Sequence, residues 1–211
     1  MVKALMLTTH YPVRTEDGKY HAGKNLFTEL SFDIEPNRLT VITGESGSGK
    51  TTLLNILAGL TKPYDGSVEG DYKTYYAPCA KVLLEALTVR ENILLATGMA
   101  ERFLASDLTH LFCLERGLYD KAILDEHPSE LSEGEYKRVL IARAFHMEKM
   151  DRGRNEDRVV ILDEPTANLD DESARAVIRS ITHLYMKDGC AIVVATHDDR
   201  LIEKADKVIR L

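Results

Sequence analysis

The sequence predicts an α/β domain: a mixed sheet flanked by helices, an antiparallel β region, and a helical subdomain inserted into the core. Three observations predict it. A β-branched run at 38–43 ends in a glycine-rich turn and passes straight into the helical apolar pattern of Leu53, Leu54, Ile56 and Leu57. Two continuous apolar runs at 159–162 and 191–195 are separated by an amphipathic stretch at 171–187, the pattern of buried parallel strands joined by a crossover helix. Between the glycine-rich turn and these two runs, residues 82–150 change to helical character.

In chain order, residues 2–9 and 26–35 read as strands, the second alternating Leu26, Leu30, Phe32 and Ile34 with polar neighbours. A polar, glycine-containing loop is expected between them. After the helix at 50–60, a turn at 63–66 leads to short strands at 67–69 and 73–77. Thr88 and Glu91 have capping-box spacing, and further helices are expected at 101–114 and 135–145. The charged stretch at 149–158 lacks apolar period and reads as an exposed loop. A short helix at 200–205 and a strand at 207–211 close the chain. The expected division of the single domain 1–211 is a catalytic core of 1–81 and 156–211 around a helical subdomain at 82–155.

A chain of 211 residues, 44% hydrophobic and 29% charged, suffices for one globular core. Its net charge of −7 argues against nucleic acid as a partner. No apolar run reaches bilayer-spanning length and the start lacks a signal-peptide core, so a soluble, cytoplasmic chain is expected. Cys79, Cys113 and Cys190 are widely spaced and odd in number, which points neither to a disulfide framework nor to a thiolate metal site. Cys113 and Cys190 read as small buried apolar residues.

Gly44, Glu45, Ser46, Gly47, Ser48, Gly49, Lys50 and Thr51 satisfy GxxxxGK[ST] between a predicted strand and helix. The glycines let backbone N–H groups converge on an anion, and the helix offers its positive end to phosphates. Lys50 would bridge the β- and γ-phosphates and Thr51 would give its hydroxyl to Mg²⁺; Thr52 follows them in the cofactor-binding set. A nucleoside triphosphate with Mg²⁺ is the expected ligand. Downstream, the apolar run 159–162 ends in Asp163 and Glu164, which places two carboxylates at the carboxyl edge of the sheet. Asp163 would hold Mg²⁺ and Glu164 would polarise the attacking water as general base. His197 leaves the end of the run 191–195, within reach of a γ-phosphate; taken alone it would more often be a helix cap or a surface residue, and the other two motifs reverse that reading.

These motifs resemble those of an ABC transporter nucleotide-binding domain, a P-loop NTPase with an ABC-type core. Leu131, Ser132, Glu133, Gly134 and Glu135 are similar to the LSGGQ signature, Ala167, Asn168, Leu169 and Asp170 match the D-loop, and His197 matches the H-loop. The resemblance spans the whole chain and implies ATP hydrolysis by a head-to-tail homodimer. Each ATP would touch the phosphate loop of one subunit and Ser132 and Gly134 of the other. Ser132 also reads as an ordinary helix N-cap. The resemblance further implies an aromatic residue that stacks on adenine, for which Tyr20 or His21 qualifies, with Tyr20 favoured. It implies transmembrane permease subunits as partners, and a peripheral position on the inner face of the cell membrane.

Pro128, Ser129, Glu130 and Leu131, and Thr196 onward, are similar to the lipoprotein-releasing and macrolide-export branch. Two residues depart from the family pattern. Cys79 stands where a glutamine follows the proline, in a chain without any glutamine. Glu133 replaces the first signature glycine, which weakens dimer closure if the carboxylate points at the phosphates and changes little if it points away. The alternatives to a transport motor are a non-transport regulator similar to the cell-division ABC ATPase and a cassette that binds ATP without turnover.

Overall fold

The computed structural model describes residues 1–14, 20–95, 122–150, 157–188 and 190–211, with side chains described at these positions except 11–14, 20–22, 122, 149–150 and 183–188. The expected helix at 101–114, Cys113, and the side chains of Tyr20 and His21 lie outside the described residues. In chain order the elements are β1 (Val2–Arg14), β2 (Tyr20–Ile34), β3 (Leu39–Thr43), α1 (Lys50–Leu57), β4 (Asp65–Glu69) and β5 (Tyr72–Ala77). There follow α2 (Val89–Leu95), α3 (Ala122–Asp125), a 3₁₀ turn at Pro128–Glu130, α4 (Glu133–Met150), β6 (Asp157–Asp163), α5 (Asp171–Asp188), β7 (Ala191–Ala195), α6 (Asp199–Ile202) and β8 (Lys207–Arg210).

Five strands form a parallel sheet in the order β5-β6-β7-β3-β8, and β2-β1-β4 form a separate antiparallel sheet. The parallel strands carry side chains to both faces, and both faces are covered, which is why β7 is apolar and buried at every position. On one face Leu39, Val41, Val160, Leu162, Ile192 and Val194 pack against α4 and α5. On the other, Ile42, Ile161 and Val193 pack with Leu53, Leu54 and Leu57 of α1 and with Leu7 and Ile34 of the antiparallel sheet. Each such fully buried aliphatic side chain contributes roughly 1.5–3 kcal/mol.

The first two strands differ from the sequence reading. β1 and β2 run on through much of the segment expected to be a polar loop, with His10 opposite Asn25 and Pro12 opposite Ala22. Backbone pairing along a two-stranded ribbon does not need apolar side chains, so periodicity missed it. The expected loop at 149–158 is likewise shortened from both sides, since α4 reaches Met150 and β6 begins at Asp157; residues 151–156 lie outside the described residues. α1 ends at Leu57, where Gly59 adopts φ 71° and its N–H bonds the Ile56 carbonyl at 3.0 Å, a glycine stop three residues earlier than the apolar pattern suggested. The capping box at α2 forms as expected: the Thr88 N–H donates to Glu91 Oε2 at 2.8 Å, and the Glu91 N–H donates to Thr88 Oγ1 at 3.3 Å.

Candidate functional site

Three adjacent strands of the parallel sheet, β6, β7 and β3, end side by side, and each hands one functional segment to the same edge. β3 runs into the phosphate loop, β6 ends in Asp163 and Glu164, and β7 leads through buried Thr196 to His197. The sheet itself fixes these ends, because the Thr196 N–H bonds the Ile42 carbonyl at 3.0 Å and the Glu164 N–H bonds the Ala195 carbonyl at 2.9 Å.

The loop between β3 and α1 depends on left-handed glycines. Gly49, the N-cap of α1, has φ 101°, and a Cβ on Gly44 at φ 157° would lie 2.7 Å from Ser48 Oγ and 2.8 Å from the Leu211 carbonyl oxygen. Lys50 curls back along the loop, its ammonium donating to the Gly44 and Glu45 carbonyls at 2.9 and 3.1 Å. Beside the loop, between it and the start of β2, lies a cleft of about 340 Å³ lined by Lys24, Asn25, Glu45 and Ser46 among others.

Asp163 is 4% exposed. Its Oδ2 accepts from Thr51 Oγ1 at 2.9 Å, while Oδ1 is sealed from water without a well-formed hydrogen bond. Burial raises its pKa above the usual carboxyl range, the Thr51 bond and Lys50 oppose the rise, and the Glu164 carboxylate adds to it. The neighbouring Tyr76 hydroxyl is pushed far up by burial and by Asp163. The buried carboxylate and the threonine hydroxyl bonded to it form a hard oxygen donor set suited to a divalent cation.

Glu164 points the other way from its neighbour. His197 Nδ1 lies 3.2 Å from its Oε1 and 3.1 Å from its Oε2, and Lys50 Nζ lies 3.9 Å from Oε1. A carboxylate between an imidazole and an ammonium at the mouth of an anion-binding loop can accept a proton from a water held there. The backbone of Glu164 is left-handed, with φ 47°.

The signature segment is placed apart from this cluster, at the start of α4. The Ser132 hydroxyl donates to Glu135 Oε2 at 2.6 Å and accepts from the Glu135 N–H at 3.3 Å, so the N-cap expected from sequence is present as a full capping box. Gly134 packs close to Leu169 and Ser173, where a Cβ would meet the Leu169 side chain at 3.4 Å. Glu133 Oε1 accepts from Asn168 Nδ2 at 3.0 Å, so its carboxylate is turned to the D-loop of its own chain. Exposed Cys79 follows β5; partial burial raises its thiol pKa, Lys137 lowers it, and Asp163, Glu164 and Glu133 raise it further.

Sequence reasoning missed Lys137. It is 8% exposed and donates to the backbone carbonyls of Glu164 (3.2 Å) and Ala167. Leu140 and Ile141, three and four residues on, put it on the apolar face of its helix, which signals burial but not its partners.

Residues 27–167 match the family described as ABC transporter. The chain belongs to this family of ATP-binding cassettes. It is 33% identical over 213 residues to a putative hemin import ATP-binding protein of Staphylococcus haemolyticus, covering 92% of this chain and 91% of the relative. It is 32% identical over 212 residues to a lipoprotein-releasing system ATP-binding protein of Koribacter versatilis, covering 88% and 87%. Among solved structures it aligns with a dimeric ATP-binding cassette in a post-hydrolysis state bound to ADP and Pi, at a TM-score of 0.80 and 26% identity, over 100% of this chain and 94% of that one. The fold is thus an ABC cassette, and its similarity includes the lipoprotein-releasing branch. Among the described residues no helix is long and apolar enough to cross a membrane.

Proposed function

We propose that this cassette binds and hydrolyses ATP to power a separately encoded membrane transporter, through ATP-driven closure of a homodimer. The observation that carries the hydrolytic part is the placement of Glu164 against His197 and within 3.9 Å of Lys50, at the strand edge that also holds the phosphate loop. The residues assigned to binding are Gly44, Glu45, Ser46, Gly47, Ser48, Gly49, Lys50, Thr51 and Thr52, with Tyr20 stacking on adenine and Ser132 and Gly134 serving the partner's ATP. The division into a catalytic core of 1–81 and 156–211 and a helical subdomain of 82–155 belongs to the same reading. The helical part would pass motion to permease subunits that hold the chain at the inner face of the cell membrane.

Loop N–H groups and the α1 N-terminus hold the phosphate oxygens, and Lys50 exchanges its loop carbonyls for β- and γ-phosphate oxygens. Thr51 Oγ1 and Asp163 would hold Mg²⁺, which when bound neutralises charge developing on the β- and γ-oxygens. Glu164 orients a water in line with the γ-phosphorus and takes its proton as the new P–O bond forms and the bond to the β-phosphate oxygen breaks, releasing ADP and phosphate. His197 holds the Glu164 carboxylate in place and would reach the transferred phosphoryl group.

ATPase turnover with and without the membrane partner, in wild type and Glu164→Gln, tests this. Turnover in wild type and a loss of about 100-fold or more in the variant, with ATP binding retained, is the expected result for removal of a general base. ATP binding without turnover in either chain would leave a binding-only cassette. Co-purification with a multi-span permease supports the transport reading, whereas a signalling membrane protein in its place supports the regulator.

A further inference from the structure

Lys137 is a buried lysine whose ammonium reaches main chain. It sits one turn past the Ser132 cap of α4 and donates to the carbonyls of Glu164 at 3.2 Å and of Ala167. Those carbonyls bracket a tight turn in which the Ala167 N–H also bonds the Glu164 carbonyl, at 3.3 Å. The turn is strained at its first residue. Glu164 has φ 47° and precedes Pro165. A left-handed conformation is costly for a non-glycine residue, and a residue before proline is driven toward extended backbone. Such a conformation persists only where its surroundings hold it.

Two anchors hold Glu164 on either side of its Cα. Its N–H is tied to the Ala195 carbonyl of β7 at 2.9 Å, and its C=O is tied to Lys137 of α4. The first anchor belongs to the sheet and the second to the helix that begins at the signature. Lys137 also lines a small cavity with Cys79, Asp163 and Pro165, so it occupies the junction between the β5 end, the β6 end and α4.

We propose that Lys137 is a positioning residue: it fixes the backbone of Glu164 so that the carboxylate stays aimed between His197 and Lys50, and it transmits displacement of α4 to that carboxylate. This rests on the reading of Glu164 as general base. Removing the ammonium takes one hydrogen bond from each carbonyl, leaves that of Glu164 with the 3.3 Å bond from the Ala167 N–H, and lets the turn relax toward the extended conformation that Pro165 favours. The carboxylate then swings off the attacking water while the phosphate loop, which Lys137 does not touch, still binds nucleotide.

The test is steady-state hydrolysis of Mg-ATP by the full chain, with ATP affinity and melting temperature measured alongside, for wild type, Lys137→Met, Lys137→Gln and Glu164→Gln. For Lys137→Met the expected result is a kcat lower by about 10- to 100-fold, the usual effect of a displacement near 1 Å at a reacting group, with KM for ATP within about twofold. Lys137→Gln, which keeps N–H donors on a shorter side chain, should fall between wild type and the Met variant. A wild-type kcat in Lys137→Met beside an inactive Glu164→Gln overturns the proposal. So does a parallel fall of kcat, ATP affinity and melting temperature in both Lys137 variants, which marks Lys137 as packing alone. Should Lys137→Met melt below the assay temperature, Lys137→Gln decides: reduced kcat at unchanged KM supports the proposal, and wild-type kcat sinks it. A Glu164→Gln chain that hydrolyses ATP like wild type removes the general-base reading and this inference with it, a pattern distinct from all the others.

Discussion

At the phosphate-loop end Lys50, Thr51, Asp163, Glu164 and His197 reach one another from three neighbouring strand ends, and buried Asp163 keeps one oxygen without a formed hydrogen bond. At the signature end the polar atoms are engaged locally: Ser132 with Glu135, and Glu133 with Asn168. The first end gathers a lysine ammonium, a threonine hydroxyl and two carboxylates at one strand edge. The second is internally satisfied and presents its helix N-terminus to whatever approaches it. Under the proposed dimer this difference has a cause, because the phosphate-loop half must be preorganised for chemistry while the signature half only has to close on it.

The largest expected effect is at the preorganised end. Lys50→Ala should weaken ATP binding by about 100-fold, the range for removing a charged hydrogen-bond donor from a phosphate site, and abolish turnover; nucleotide titration and a phosphate-release assay read both. Unchanged ATP affinity in that variant would mean that this end is not where the phosphates bind. Next comes Ser132→Arg, which puts bulk on the exposed signature surface, at a residue whose hydroxyl bonds Glu135 rather than the phosphate loop. It should remove turnover yet leave ATP affinity of the isolated chain within about twofold, since a satisfied surface residue contributes little to distant binding. Parallel loss of both would mean that the two ends form one site within one chain.

A smaller effect is expected at Glu133. Its carboxylate is turned to Asn168, so Glu133→Gly should raise turnover only about two- to fivefold by removing a negative charge near the closing interface. A large rise would show that the carboxylate faces the phosphates in the closed state. The smallest effect is on stability. Ser132→Ala removes the N-cap of α4 and should cost about 1 kcal/mol in urea unfolding. The Ser132 bonds hold Glu135 below its ordinary pKa of 4.5. A depressed carboxyl pKa stabilises the folded state above the ordinary value and loses that contribution as pH falls through the folded value. The gap between wild type and Ser132→Ala should therefore be full at neutral pH and narrow below the ordinary glutamate range.

Much of the preorganised end was legible from sequence, because its chemistry lies in contiguous motifs at strand ends: Gly44 to Thr51 after β3, Asp163 and Glu164 after β6, His197 after β7. Strand ends in a parallel sheet converge by construction, so locating the strands located the cluster. The capping residues Thr88 and Ser132 were legible for the same local reason. What was not legible depends on contacts far apart in sequence. Nothing in residues 133–141 says that Lys137 reaches the Glu164 carbonyl, nor that Glu133 turns to Asn168, because both bonds are set by how α4 docks on the β6 edge. The left-handed backbone of Glu164 was hidden too, since glutamate before proline ordinarily reads as extended. The continuation of β1 and β2 through a polar stretch escaped because backbone pairing, not apolar alternation, sustains it.

Under the proposed dimer, one half of each hydrolytic site is built within the chain and the other half is brought by a second copy. Specific ATPase activity measured against protein concentration reads that dependence. Activity per chain is expected to rise steeply with concentration and then saturate as dimers form. A specific activity that stays constant down to concentrations at which the chain sediments as a monomer would contradict it.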